Sequence, residues 1–124
     1  MTYYAVTSSE FREALRLAQE TSGAVADATT PADELEGTGS CFLTDDLQSG
    51  FRIGWNGELT GVFSLVKGRG DVLVSESVSL GATHLDCFDG YLPTLYGRHG
   101  FMEARRERNW VEGDPDVVYM VLAD

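Results

Sequence analysis

Apolar and polar residues recur along this chain with two different periods, and the changes of period mark its elements. Tyr3 to Val6 is short, apolar and β-prone, and predicts a first strand. Thr7 and Glu10 then have capping-box spacing, in which each side chain satisfies a backbone N–H at a helix start. Phe11, Ala14, Leu15 and Ala18 follow at i, i+3, i+4, i+7, the apolar face of a helix that Gly23 would stop. Residues 24–39 have no clear period and predict an acidic loop. Within it, Pro31 to Leu35 has the make-up of a short helix start, with proline first and acids near the positive dipole end.

Three strands are expected next: Cys41 to Thr44, Phe51 to Trp55, and Glu58 to Leu65. Asn56-Gly57 between the last two is a strong hairpin turn signal, so the region reads as an antiparallel meander. After Lys67-Gly68-Arg69-Gly70, the apolar residues Val72, Leu73, Val78 and Leu80 predict a short helix stopped by Gly81. Thr83 to Phe88 reads as a strand. Asp89 is placed to cap a helix over 90–98, in which Leu92, Leu95 and Tyr96 share a face. Phe101 to Trp110 and Val117 to Leu122 complete the strands, with Gly113-Asp114-Pro115 turning the chain between them. A helix that returns the chain to a new strand implies a parallel pair. The expected fold is therefore α/β (α+β): a mixed, mostly antiparallel central sheet of about six to seven strands, helices on both faces, in a single domain over 1–124.

Composition changes this picture in one respect. Of 124 residues, 20 are Asp or Glu and 9 are Lys or Arg, a formal net charge of −11. Such a surface repels nucleic acid phosphates and anionic membranes and attracts a cationic small molecule or a basic protein surface; plain solubility is the simpler account of it. No apolar stretch approaches the length of a membrane span, and the first residues lack a signal-peptide pattern, so the cytoplasm is the expected compartment. Cys41 and Cys87 sit in strand-like flanks and are expected as reduced core thiols. Two histidines without a Cys-x-x-Cys pair predict no metal site.

The segment richest in chemistry runs from Lys67 to Phe101. A glycine-rich turn opening a helix presents backbone N–H groups and a positive dipole to an anion, and Lys67 and Arg69 add a local basic cluster suited to a pyrophosphate. An ordinary turn accounts for the same residues. The segment resembles the GNAT N-acetyltransferases, whose Gln/Arg-x-x-Gly-x-Gly/Ala loop cradles the pyrophosphate of coenzyme A. Lys67 stands at the Gln/Arg position, Gly70 matches the first essential glycine, and Val72 stands in place of the final Gly/Ala. Downstream the family has a strand, an Asn, a helix ending in Leu-Tyr, and a Gly-Phe pair opening the next strand. Here these are Leu85 to Phe88, Asp89, Leu95-Tyr96 and Gly100-Phe101. The resemblance covers about residues 61–110 in detail and the rest by order of elements.

The resemblance implies acetyl-CoA as cosubstrate and direct acetyl transfer to a primary amine: a protein lysine, an N-terminus or a small cationic amine. It places Leu65, Val66, Lys67, Gly68, Arg69, Gly70, Asp71, Val72 and Asp89 at the cofactor, and Tyr96 near the thioester sulfur as proton donor to the leaving thiolate. Tyr96 also reads as a helix-face core tyrosine. The strand at 62–66 is expected to meet the pantetheine arm through main-chain groups. An ammonium nucleophile needs a base. Glu58 is the candidate, with Asp45 and Asp46 in the same meander as alternatives. Arg105, Arg106 and Arg108 on a late strand read as a solvated face, or as a contact to an acidic partner or the cofactor's 3′-phosphate. A homodimer is an admissible assembly. A second function stays open, a catalytically inactive protein of this fold that binds a basic partner through its acidic surface. A third is an acidic mimic of nucleic acid.

Overall fold

Helix formation begins where the capping box sets it. Thr7 Oγ1 accepts from the backbone N–H of Glu10 (3.1 Å), and the Glu10 carboxylate accepts from that of Thr7 (3.2 Å), so two donors that a helix start orphans are satisfied. In the computed structural model, which describes residues 2–35 and 39–123, this start follows strand β1 (Tyr3–Val6) and opens α1 (Ser8–Thr21). Phe11, Ala14, Leu15 and Ala18 are its buried face, as their spacing predicts. Gly23 does not end the helix. Ser22 is the C-cap of α1 and the N-cap of a second helix, α2 (Gly23–Ala28), its hydroxyl accepting from the Val25 N–H. The expected acidic loop thus contains α2 and a 3-10 turn at Ala32–Glu34. Its residues 36–38 lie outside the described residues.

The remaining elements are β2 (Gly39–Thr44), β3 (Ser49–Gly54), β4 (Leu59–Ser64), α3 (Gly70–Ser79), β5 (His84–Phe88), α4 (Tyr91–Gly97), β6 (Phe101–Glu107) and β7 (Val117–Leu122). Strand β6 ends three residues short of the expected Trp110. The seven strands hydrogen-bond as two antiparallel sheets, β1-β2-β3-β4 and β5-β7-β6. The expected parallel pair, β4 with β5, is a single bridge between Glu58 and His84 at the starts of the two strands. Beyond it they part, so the central sheet is split. Helices cover both faces of the first sheet: α1 and α2 pack on one through Cys41, Leu43 and Phe63, while α3 packs on the other through Phe51, Ile53 and Leu59.

One local feature drives the parting. Gly50 pairs with Phe63 but Arg52 pairs with Thr60, so β4 carries one extra residue opposite Phe51. That bulge contains Gly61 at φ +61°, a conformation that glycine adopts without strain. Leu59 and Phe63 are four residues apart and in an unbroken strand would share a face. Instead Leu59 joins the core under α3, and Phe63 joins the core under α1, where its ring meets Phe11 edge-on at 5.9 Å. A Cβ on Gly61 would lie 3.1 Å from the Phe11 ring. Gly61→Ala is therefore expected to cost about 1–2 kcal/mol from the left-handed backbone alone, with displacement of Phe11 added. Urea unfolding checks this, and an unchanged midpoint would contradict the account of the bulge.

Candidate functional site

Because β4 is the edge of its sheet and β5 the edge of the other, their divergence leaves a cleft of about 340 Å³ between them. Residues 59–62 of β4 form one wall and residues 86–88 of β5 the other. Tyr96 of α4 lines the floor. The segment after α2 contributes Thr30 and Glu34, and Tyr119 of β7 and Trp110 from the β6–β7 connection line the cleft as well. Away from β3, the β4 backbone has no strand partner among the described residues after the Glu58 bridge, so its edge is open to an extended ligand.

Tyr96 is 7% exposed and packs edge-on against Phe101 (5.9 Å). Among the described residues its hydroxyl has no hydrogen-bond partner, yet no buried side-chain polar atom is left unsatisfied. The phenol oxygen therefore reaches the open cleft. Burial first, and then Cys87 and Asp86, hold its pKa well above the ordinary tyrosine value, so the proton stays on the oxygen. Tyr96 is thus a core side chain, as one sequence reading has it, and its polar tip faces the cleft. Cys87, on the β5 wall, is a free thiol pushed up to about 12 by burial and then by the charges of Asp86 and Asp89. A thiol so held is not a nucleophile near neutral pH. Iodoacetamide at about pH 8 should leave Cys87 unmodified in the folded protein and label it in urea; rapid native labelling, read by mass spectrometry, would contradict this.

The glycine-rich turn forms at the C-terminal end of β4. Ser64 Oγ accepts from the Val66 N–H (3.0 Å) and donates to the Val66 carbonyl (2.6 Å), which curls the chain out of the strand. Gly68 takes φ +89°, and α3 begins at Gly70 with no side-chain cap. The N–H groups of Gly70, Asp71 and Val72 thus have no acceptor within the helix. A Cβ on Gly70 would lie 3.3 Å from Leu95, so this helix start packs against the residue next to Tyr96. Val72 is 47% exposed, and Lys67 and Leu65 are exposed as well. None of residues 65–72 lines the cleft itself; they lie at its β4 end.

Several expected site residues are committed elsewhere. Arg69 pairs with Asp46 (2.7 Å) and donates to Ser49 Oγ (3.0 Å), and that guanidinium, with Thr44 Oγ1 and the Gln48 N–H, holds the Asp46 carboxyl well below the usual range. Asp46 is thereby a clamp. Asp71 turns toward α4, pairing with Arg98 (3.1 Å) and His99 (2.8 Å), and Arg98 foremost lowers its pKa. Asp89 is not the N-cap of α4: that position is Gly90, at φ +129°. The Asp89 carboxylate pairs with Arg106 (2.8 Å) and accepts from the Gly90 N–H, interactions that lower its pKa in that order. Glu58 sits at the β3–β4 turn, its backbone N–H donating to Asn56 Oδ1, and does not line the cleft. The carboxylates that do are Glu34 and Asp86. On β6, an extra residue near Ala104 lets Arg106 reach Glu103 as well, while Arg105 lies 3.8 Å from the Tyr119 ring centre.

Sequence reasoning missed Gly61, Glu34, Asp86, Trp110 and Tyr119. Only Gly61 had a local signal, an isolated glycine inside a strand pattern. Compared with known proteins, the chain matches no family model and no curated sequence. It is similar in structure to an acetyltransferase from Bacillus subtilis solved in complex with CoA. The TM-score is 0.64 at 19% identity, over 98% of this chain and 97% of that one. The chain thus shares the fold of that protein.

Proposed function

We propose that this protein is an acyl-CoA-dependent N-acetyltransferase of the GNAT type, which transfers an acetyl group to a primary amine by direct attack. The observation that carries this reading is the cleft between the diverging strands β4 and β5 with the Tyr96 hydroxyl facing it. The CoA carried by the structurally similar acetyltransferase agrees with it.

The residues present fit such a cosubstrate. The open edge of β4 suits the amide-bearing pantetheine arm, and the uncapped start of α3, with Lys67 nearby, suits the pyrophosphate. In the transfer, an ammonium acceptor first loses a proton to a carboxylate, directly or through water. The amine nitrogen then forms the N–C bond, the C–S bond breaks, and the electron pair stays on sulfur. Tyr96 donates its O–H to that developing thiolate. Its raised pKa makes outright transfer uphill, so donation is coupled to return of the proton that the nitrogen sheds. The protonated state of Cys87 favours direct attack over an acyl-cysteine route.

A second reading, the non-catalytic binding protein, draws on the engagement of Arg69 by Asp46, which leaves Lys67 as the cation of the loop. Calorimetry separates the two. Acetyl-CoA is expected to bind in the micromolar range (about −8 kcal/mol). Val72→Glu places a carboxylate at the exposed α3 start and is expected to abolish that binding. Tyr96→Phe should retain binding and lower turnover by about 10²-fold or more. Absence of heat with the parent protein would favour the binding protein, and full turnover by Tyr96→Phe would remove the phenol from the chemistry.

A further inference from the structure

Within the cleft, Glu34 and Asp86 stand apart from the other carboxylates described above. Asp46, Asp71 and Asp89 are each neutralised by an arginine. Among the described residues, neither the Glu34 nor the Asp86 carboxylate takes part in a hydrogen bond or ion pair. They approach the cleft from different elements, the 3-10 turn and β5, and share it with two aromatic rings. One ring, Tyr119, already holds the Arg105 guanidinium over a face. The other, Trp110, is 84% exposed at the mouth. The Tyr96 hydroxyl, on a side chain more than nine-tenths buried and without a partner among the described residues, points to the same space.

We infer that this half of the cleft is a site for an alkylammonium, held by Glu34 and Asp86 with its carbon stem against Trp110, and that this cation is the acyl acceptor. Two unneutralised carboxylates repel an anionic acceptor and leave a neutral one without compensation, whereas an ammonium answers both. An indole face adds attraction for a cation and buries a methylene stem. The cleft volume of about 340 Å³ is near the lower limit of small-molecule pockets, so the reacting end must be slender: a primary amine on an unbranched chain. A free alkylamine and a lysine side chain share this chemistry. Either carboxylate then stands where the ammonium proton must go. The acceptor role rests on the acetyltransferase reading; the cation site does not.

The test uses Trp110 fluorescence without acetyl-CoA, in a Trp55→Phe background, since Trp55 is 82% exposed on the β3–β4 hairpin. The probes are n-butylammonium, a short capped peptide with one central lysine, n-butanol and butyrate. Saturable quenching by one of the two amines, at least about tenfold tighter than butanol or butyrate, is expected. Whichever amine binds tighter names the source. The double variant Glu34→Gln, Asp86→Asn should weaken that binding by about tenfold or more while keeping the parent's urea midpoint. Equal response to butanol, or a double variant that binds as the parent does, would overturn the site. Cation binding together with no acetyl-CoA binding would overturn the acceptor role, and acetyl-CoA binding without cation binding would leave the transferase and remove this inference.

Discussion

The parting of β4 from β5 depends on one extra residue. Backbone pairing between the two strands starts at the Glu58–His84 bridge and goes no further, and the extra residue lies just beyond it in β4. The bulge at Gly61 bends the strand, and it reverses the facing of everything after it. Phe63 is thereby delivered to Phe11, anchoring that position to α1 rather than to the core shared with β5. Leu59 and Val62 face the core shared with β5, and the cleft opens beside this stretch. A glycine is required there because the backbone is left-handed and the Phe11 ring lies against the position a Cβ would take.

Electrostatics complete the site by what it leaves unpaired. With 9 basic residues against 20 acidic ones, each arginine that pairs decides which carboxylates stay available. Arg69 ties the α3 start to the β2–β3 turn, Arg98 ties it to α4, and Arg106 ties the end of β5 to β6. These exposed clamps contribute little stability each. They fix the orientation of the elements around the cleft. They also engage the side chains of Arg69, Asp71 and Asp89 in ion pairs and leave Glu34 and Asp86 lining the cavity.

What could be read in the sequence follows from the range of the interaction concerned. The capping box at Thr7 and Glu10, the buried face of α1 and the Asn56-Gly57 turn are local, and all form as their spacing predicts. Tyr96 was legible through the Leu-Tyr and Gly-Phe elements, and the start of α3 through its glycines. The division into two sheets was not, because edge-to-edge pairing between distant strands has no local signature. Asp89 misled for the same reason: its partner Arg106 lies 17 residues away and outcompetes a cap. Glu34 and Trp110 lie in aperiodic connections, and only tertiary structure brings them to one cavity.

In the proposed transferase, the open edge of β4 and the start of α3 receive the acyl donor. Amide hydrogen exchange on the folded protein, with and without acetyl-CoA, tests it most directly. The account predicts added protection at residues 62–64 and 70–72, with little change in β6 or in the first turns of α1. Protection that is absent at those positions, or spread evenly over the chain, would contradict it.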